Sequence, residues 1–133
     1  MLDCLIIGDS IAVGSHMFRK ECVAFAKGGI TSHGWDKTYG QNELSSETVI
    51  ISLGTNDWEK ANTVTKLTEI RKKIKAKRVF WIAPHQGSKP KAYADVNQVA
   101  AMFNDTVITT ERYQPDKIHP SWAGYKELME KTK

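Results

Sequence analysis

Leu2-Asp3-Cys4-Leu5-Ile6-Ile7-Gly8, followed at once by Asp9-Ser10, is the stretch that decides the fold. A short aliphatic run with little polar alternation reads as a strand buried on both faces, as in parallel sheets. Thr48–Leu53 repeats the pattern, Arg78–Ala83 and Cys22–Ala26 read similarly, and Thr106–Thr110 is a weaker fifth candidate. Between these runs the period changes. Val64, Leu67, Ile70 and Ile74 recur at helical spacing, as do Tyr93, Val96, Val99, Ala100 and Phe103, which predicts amphipathic helices covering a sheet. A shorter helix is expected just after Ser10. The last one is expected from about Ser121, a good N-cap, with Trp122, Tyr125, Leu128 and Met129 on its apolar side. Strand and helix in alternation predict a doubly wound α/β domain, a parallel sheet of four or five strands with helices on both faces. A chain of 133 residues is expected to form one such domain, 1–133.

Composition narrows the class. Nineteen basic against 15 acidic residues give +4, with the excess concentrated from Arg71 to Arg78. That run reads as a solvated face at a helix C-terminus, where the macrodipole favours cations. It lacks the recognisable module or interleaved aromatic residues that nucleic-acid binding requires, so no nucleic-acid partner is expected. No apolar stretch approaches the roughly 18–20 residues of a membrane span. The start, Met1 to Gly8, has no basic lead and no small-residue cleavage site, so it reads as part of the fold. The expectation is a cytoplasmic protein, with carriage in a virus particle or export by another route as alternatives. Cys4 and Cys22 are expected to be buried, reduced thiols. Lys27–Glu47 reads as the longest irregular segment, with glycine at 28, 29, 34 and 40.

In doubly wound sheets ligands bind beyond the carboxyl ends of the strands. Ser10, Gly29 and Asn56 each follow a predicted strand, and so fall there. A serine at a strand-to-helix turn exposes its hydroxyl above the sheet and sets its amide at the positive end of the helix. Far downstream, Pro115-Asp116-Lys117-Ile118-His119-Pro120 offers an imidazole, which titrates close enough to neutrality to take a hydroxyl proton. Asp116, three residues earlier, can bond Nδ1–H and leave Nε2 free to accept. Asn56 in Gly54-Thr55-Asn56-Asp57 presents an amide donor at a strand tip, and Gly29 a backbone N–H. Taken singly, each has a plainer reading as a helix cap, an Asx turn or a tight turn. Taken together they describe a nucleophile, a base, an orienter and an oxyanion hole, hence a serine ester hydrolase.

The four ordered blocks Gly8-Asp9-Ser10, Gly29-Ile30-Thr31, Gly54-Thr55-Asn56-Asp57 and Asp116-Lys117-Ile118-His119-Pro120 bracket nearly the whole chain. In them the sequence resembles the SGNH hydrolases, the GDSL esterase/lipase family. Ile11 stands where the leucine of that family's common name would be, and the chain is shorter than most members. The resemblance implies a flavodoxin-like three-layer α/β/α sandwich and no metal or organic cofactor. It implies Ser10 as nucleophile, His119 as base and Asp116 as orienter. The Ser10 N–H, Gly29 N–H and Asn56 side chain would form the oxyanion hole, Gly29 being preferred to Gly28 because Ile30-Thr31 follows it.

A small acyl group such as acetyl, on a carbohydrate or other small ester, is the expected substrate, because few long apolar loops exist to cap a lipid. Trp35 and Trp58, in or beside the motif loops, and His85, with Gln86 after strand four, are candidates to contact it. Trp81 reads as core. His16 and His33 have no partner at metal spacing, so no metal site is expected. A flavodoxin-like binding module is the competing class, lacking here the acidic cluster of a receiver and the hydroxyl-rich phosphate loop of a flavin carrier. A catalytically inactive relative serving as a binding subunit is the other.

Overall fold

Residues 2–133 are described by the structure, a computed structural model. Met1, read above with the first strand, lies outside them. Among the described residues, strands β1 (Leu2–Gly8), β2 (Val23–Ala26), β3 (Leu44–Ser52), β4 (Ile74–Ile82) and β5 (Thr106–Ile108) form one parallel sheet in the order β2-β1-β3-β4-β5. The intervening helices are α1 (Ser10–His16), α2 (Ser32–Tyr39), α3 (Thr63–Lys72), α4 (Pro90–Met102) and α5 (Trp122–Glu130). This strand order is the flavodoxin-like one, whose direction switches between β1 and β3.

Successive residues of each central strand feed opposite cores, as a period of two requires. Leu5, Ile7, Val49, Ile51, Val79 and Trp81 join Trp35 of α2, Leu67 of α3 and Val96 of α4 on one face. Ile6, Ile50, Phe80 and Ile82 join Ile11 of α1 and Leu128 of α5 on the other. The result is the α/β/α sandwich expected from the sequence.

Several expectations are corrected. Lys27–Glu47 is not irregular throughout: Thr31 caps α2 by accepting from the Gly34 N–H at 3.0 Å. Strand β3 starts at Leu44, and β4 starts at Ile74. Ile74 therefore leaves helix α3, which ends at Lys72, and the basic run straddles helix end and strand. Most of these cations have work within the fold. Arg71 makes a two-pronged bond to Asp105 at 2.7 and 2.9 Å, Lys73 reaches Asp36, and Arg78 donates to the Thr48 hydroxyl and the Thr132 carbonyl. Trp122 is 71% exposed, outside the apolar face assigned to it.

The largest correction concerns the cysteines, which are joined in a disulfide. Pairing of Leu5 with Val23 across β1 and β2 sets Cys4 opposite Cys22, with Cα atoms 4.8 Å apart, well within bridging reach. The bridge closes a loop of sequence separation 18. Loop-closure entropy for such a loop contributes about 3 kcal/mol, so reduction should lower the thermal midpoint by roughly 10 °C. Calorimetry with and without a reductant checks this, using Cys4→Ala/Cys22→Ala as the control insensitive to reductant.

Candidate active site

The turn after β1 is built on Gly8. Its φ is +143°, and a Cβ there would fall 1.9 Å from the Ser52 carbonyl oxygen, so no larger residue fits. Asp9 then caps α1: its Oδ1 accepts the Ile11 N–H and the Ser52 hydroxyl, both at 3.0 Å. Ser10 is thereby fixed as the first residue of α1, half-buried at the sheet's switch point.

Asp9 itself is fully buried, and its Oδ2 has no hydrogen-bond partner among the described residues. Burial pushes its carboxyl up to about 6, against the lowering effect of the Ser52 and backbone bonds. The folded chain therefore holds this proton more tightly than the unfolded chain. The associated stability is full below about pH 3.8 and is lost as pH rises through about 6. Over that window wild type should lose about 3 kcal/mol more than Asp9→Asn, a difference that urea unfolding at several pH values will read.

The loop between β5 and α5 brings the remaining groups. Tyr113 and Pro120 form an antiparallel bridge, the Gln114 N–H donates to the His119 carbonyl at 2.8 Å, and the Gln114 side chain donates to the Pro120 carbonyl. Ser121 caps α5 by accepting from the Gly124 N–H. Lys117 takes a left-handed backbone, φ +55°, and this tight turn folds the Asp116 carboxylate back under the ring. Asp116 Oδ1 accepts the N–H groups of Ile118 and His119 at 2.9 and 3.0 Å. Its Oδ2 lies 2.7 Å from His119 Nδ1, and His119 Nε2 lies 2.8 Å from Ser10 Oγ. The His119 bond, then the two backbone N–H groups, hold the Asp116 carboxyl down at about 2. A carboxylate there fixes the tautomer whose Nε2 accepts from serine, so the line Asp116–His119–Ser10 is competent for proton abstraction.

One further loop approaches Ser10, and a second is bonded to it. Lys27 to Ile30 form a turn closed by Ile30 N–H to Lys27 carbonyl, with Gly29 at φ +76°; a Cβ on Gly28 would sit 3.9 Å from the Ser10 Cβ. Asn56 donates one amide hydrogen to the Ile30 carbonyl at 3.2 Å, leaving its second N–H for another acceptor. Asp57 braces both loops: Oδ1 accepts from the Ser32 N–H at 2.7 Å and Oδ2 from the Thr63 hydroxyl at 2.8 Å. The sequence reading did not single out Asp9 or Asp57 in these roles. For Asp9, an N-cap signal directly before a helix was present; for Asp57, the partners are 25 and 6 residues away, beyond any local pattern.

Among the candidate contact residues, Trp35 is corrected. It is fully buried in the α2–α4 core and spends its Nε1–H on the Phe25 carbonyl at 2.8 Å, so it cannot meet a substrate. Trp58 is 70% exposed and walls a cavity of about 370 Å³ with Gly54, Thr55, Ser88 and Lys89. His85 lines a second cavity of about 350 Å³, edge-on to Tyr113 at 4.5 Å. Its Nδ1 accepts the Ser88 N–H at 3.0 Å. Cys4, Cys22 and Glu21 cluster, but the sulfurs are spent in the disulfide and leave no thiolate to bind a metal.

No protein-family model and no curated protein matches this chain. Solved structures do, each with a TM-score of 0.65 and each covering 97% of this chain. One is a protein of Bacteroides fragilis assigned as an acylhydrolase, 15% identical and matched over 85% of its length. Another is the C-terminal catalytic domain of peptidoglycan O-acetyltransferase A from Streptococcus pneumoniae, carrying a methylsulfonyl adduct, 19% identical over 89%. The third is a two-domain esterase active on acetylated mannans, 14% identical, of which this chain spans 47%. At such identities the likeness speaks for architecture alone, and with the sheet order it shows that the chain shares the flavodoxin-like α/β/α sandwich of these proteins.

Proposed function

We propose that the chain is a serine ester hydrolase acting on a small acyl ester, with acetyl on a carbohydrate hydroxyl as the substrate class. The observation that carries this reading is the continuous line Ser10 Oγ, His119 Nε2, His119 Nδ1, Asp116 Oδ2, with steps of 2.8 and 2.7 Å across the imidazole. His119 takes the Ser10 proton as Oγ bonds to the acyl carbon. The tetrahedral oxyanion is met by the Ser10 N–H, the Gly29 N–H and the second Asn56 N–H. On collapse His119 returns the proton to the leaving alcohol, giving acyl-Ser10. Water then adds, passing its proton to His119, and the acid departs with Ser10 restored. No step needs a metal or an organic cofactor.

Known acyl-transfer enzymes on the same fold support the reading. A flavodoxin-like binding module would have no use for an imidazole held between a serine and a carboxylate. The Cys4–Cys22 bridge supports an exported or particle-borne setting over the cytoplasm, since such bridges persist in oxidising surroundings. No helix among the described residues is long and apolar enough to cross a membrane.

Release of 4-nitrophenol from 4-nitrophenyl acetate tests the function. Wild type should turn over many times per chain. Asn56→Ala should keep the Ser10–His119–Asp116 line and lose about 10²–10³ in kcat. Unchanged kcat in Asn56→Ala would remove that amide from the mechanism, and no turnover by wild type on any small acyl ester would remove the function.

A further inference from the structure

We propose that the cleft walled by Trp58 is the subsite for an uncharged sugar ring of the ester's alcohol part, an inference that rests on the ester-hydrolase reading. Position comes first. The turn Gly54–Asp57, closed by the Asp57 N–H to the Gly54 carbonyl at 3.0 Å, supplies Asn56 to the site while Gly54, Thr55 and Asp57 line the cleft. One short turn thus serves both the cleft and the amide that faces the reacting ester.

Chemistry comes second. At about 370 Å³ the cleft falls within the roughly 300–1,000 Å³ of small-ligand sites. Its wall pairs a mostly bare indole with the Thr55 and Ser88 hydroxyls and the Lys89 ammonium, none of which has a side-chain partner among the described residues. A sugar ring has the matching surface, an apolar C–H face to lie on the indole and a rim of hydroxyls for the polar groups. An extended acyl tail would cover those polar groups without offering them a hydrogen-bond partner.

Charge comes third. Lys91 is held by Asp95 at 2.7 Å and donates to the Ala61 carbonyl, and Asp57 is occupied by Ser32 and Thr63. That leaves Lys89 and Glu59, one of each sign, so the cleft selects neither anions nor cations. Other tryptophans serve elsewhere. Trp35 and Trp81 are core, and Trp122 packs edge-on against Phe18 at 5.6 Å.

The experiment compares kcat/KM on 4-nitrophenyl acetate, O-acetylated cellotriose and O-acetylated trigalacturonic acid. Trp58→Ala should lose about tenfold more on the acetylated cellotriose than on 4-nitrophenyl acetate, chiefly through KM, as expected on removing an aromatic anchor. Trp58→Phe should recover most of that difference. Wild type should act on the neutral trisaccharide at least as well as on the galacturonide. Equal losses on the two acetyl esters, no recovery with phenylalanine, or preference for the anionic sugar each overturn the subsite assignment while 4-nitrophenyl acetate turnover upholds the esterase. Loss of turnover on all three by wild type overturns the esterase reading itself.

Discussion

Ser10→Ala and His119→Ala are each expected to lower kcat on 4-nitrophenyl acetate by roughly 10⁴–10⁶, and the double variant should be no slower than either single one. The reason is geometric. The hydroxyl is a poor nucleophile until Nε2, 2.8 Å away, takes its proton, so the two groups act as one unit and removing either removes the whole effect. Neither side chain holds the fold together. Ser10 enters α1 behind the Asp9 cap, and His119 keeps its turn through backbone bonds to Gln114 and Asp116. Circular dichroism and thermal midpoints should therefore match wild type. Rates that multiply in the double variant would mean that serine and imidazole work independently.

Asp116→Asn carries the second large effect, about 10⁴ in kcat, and the local hydrogen bonds say why the loss should be nearly that of the whole unit. Asp116 Oδ1 accepts two backbone N–H groups, from Ile118 and His119. An asparagine must keep its oxygen there, because an NH₂ group would face two donors. Its nitrogen is then left opposite His119 Nδ1, in the position that Oδ2 occupies at 2.7 Å. A donor at that point obliges Nδ1 to accept and moves the ring proton to Nε2, which can no longer accept from Ser10. Asp116→Ala, which leaves the imidazole free to choose its tautomer, should consequently be no worse than the isosteric Asp116→Asn. Asp116→Asn activity within tenfold of wild type would refute this tautomer argument. Nitrogen chemical shifts of His119 report the tautomer directly.

How much of this was legible in sequence depended on whether the signal was local. The line Ser10–His119–Asp116 was readable because Asp116 and His119 share one tight turn and Ser10 directly follows an unmistakable buried strand. Helix α2 was not. Its sequence Ser32–Tyr39 buries Ser32 and Trp35, so a single large anchor replaces the apolar stripe that periodicity detects. The first half of β3 was hidden for a related reason: Ser45, Ser46 and Glu47 are polar, although Leu44, Ser46 and Thr48 are buried in alternation. Ile74 kept helical spacing with Ile70, but α3 stops at Lys72 and Ile74 opens β4. Pairing of Cys4 with Cys22 required the register of β1 on β2, which no spacing in the chain encodes. Trp35 and Trp58 looked equivalent because both sit near motif glycines, yet one fills the core and the other stands bare.

The most direct measurement is to treat the protein with phenylmethylsulfonyl fluoride and locate the adduct by peptide mass spectrometry. One sulfonyl group per chain is expected, on Ser10, formed with loss of fluoride, at a rate that collapses in His119→Ala. Labelling spread over other hydroxyls, or a Ser10 that reacts no slower without its imidazole than with it, would contradict the claim that these groups form one activated nucleophile.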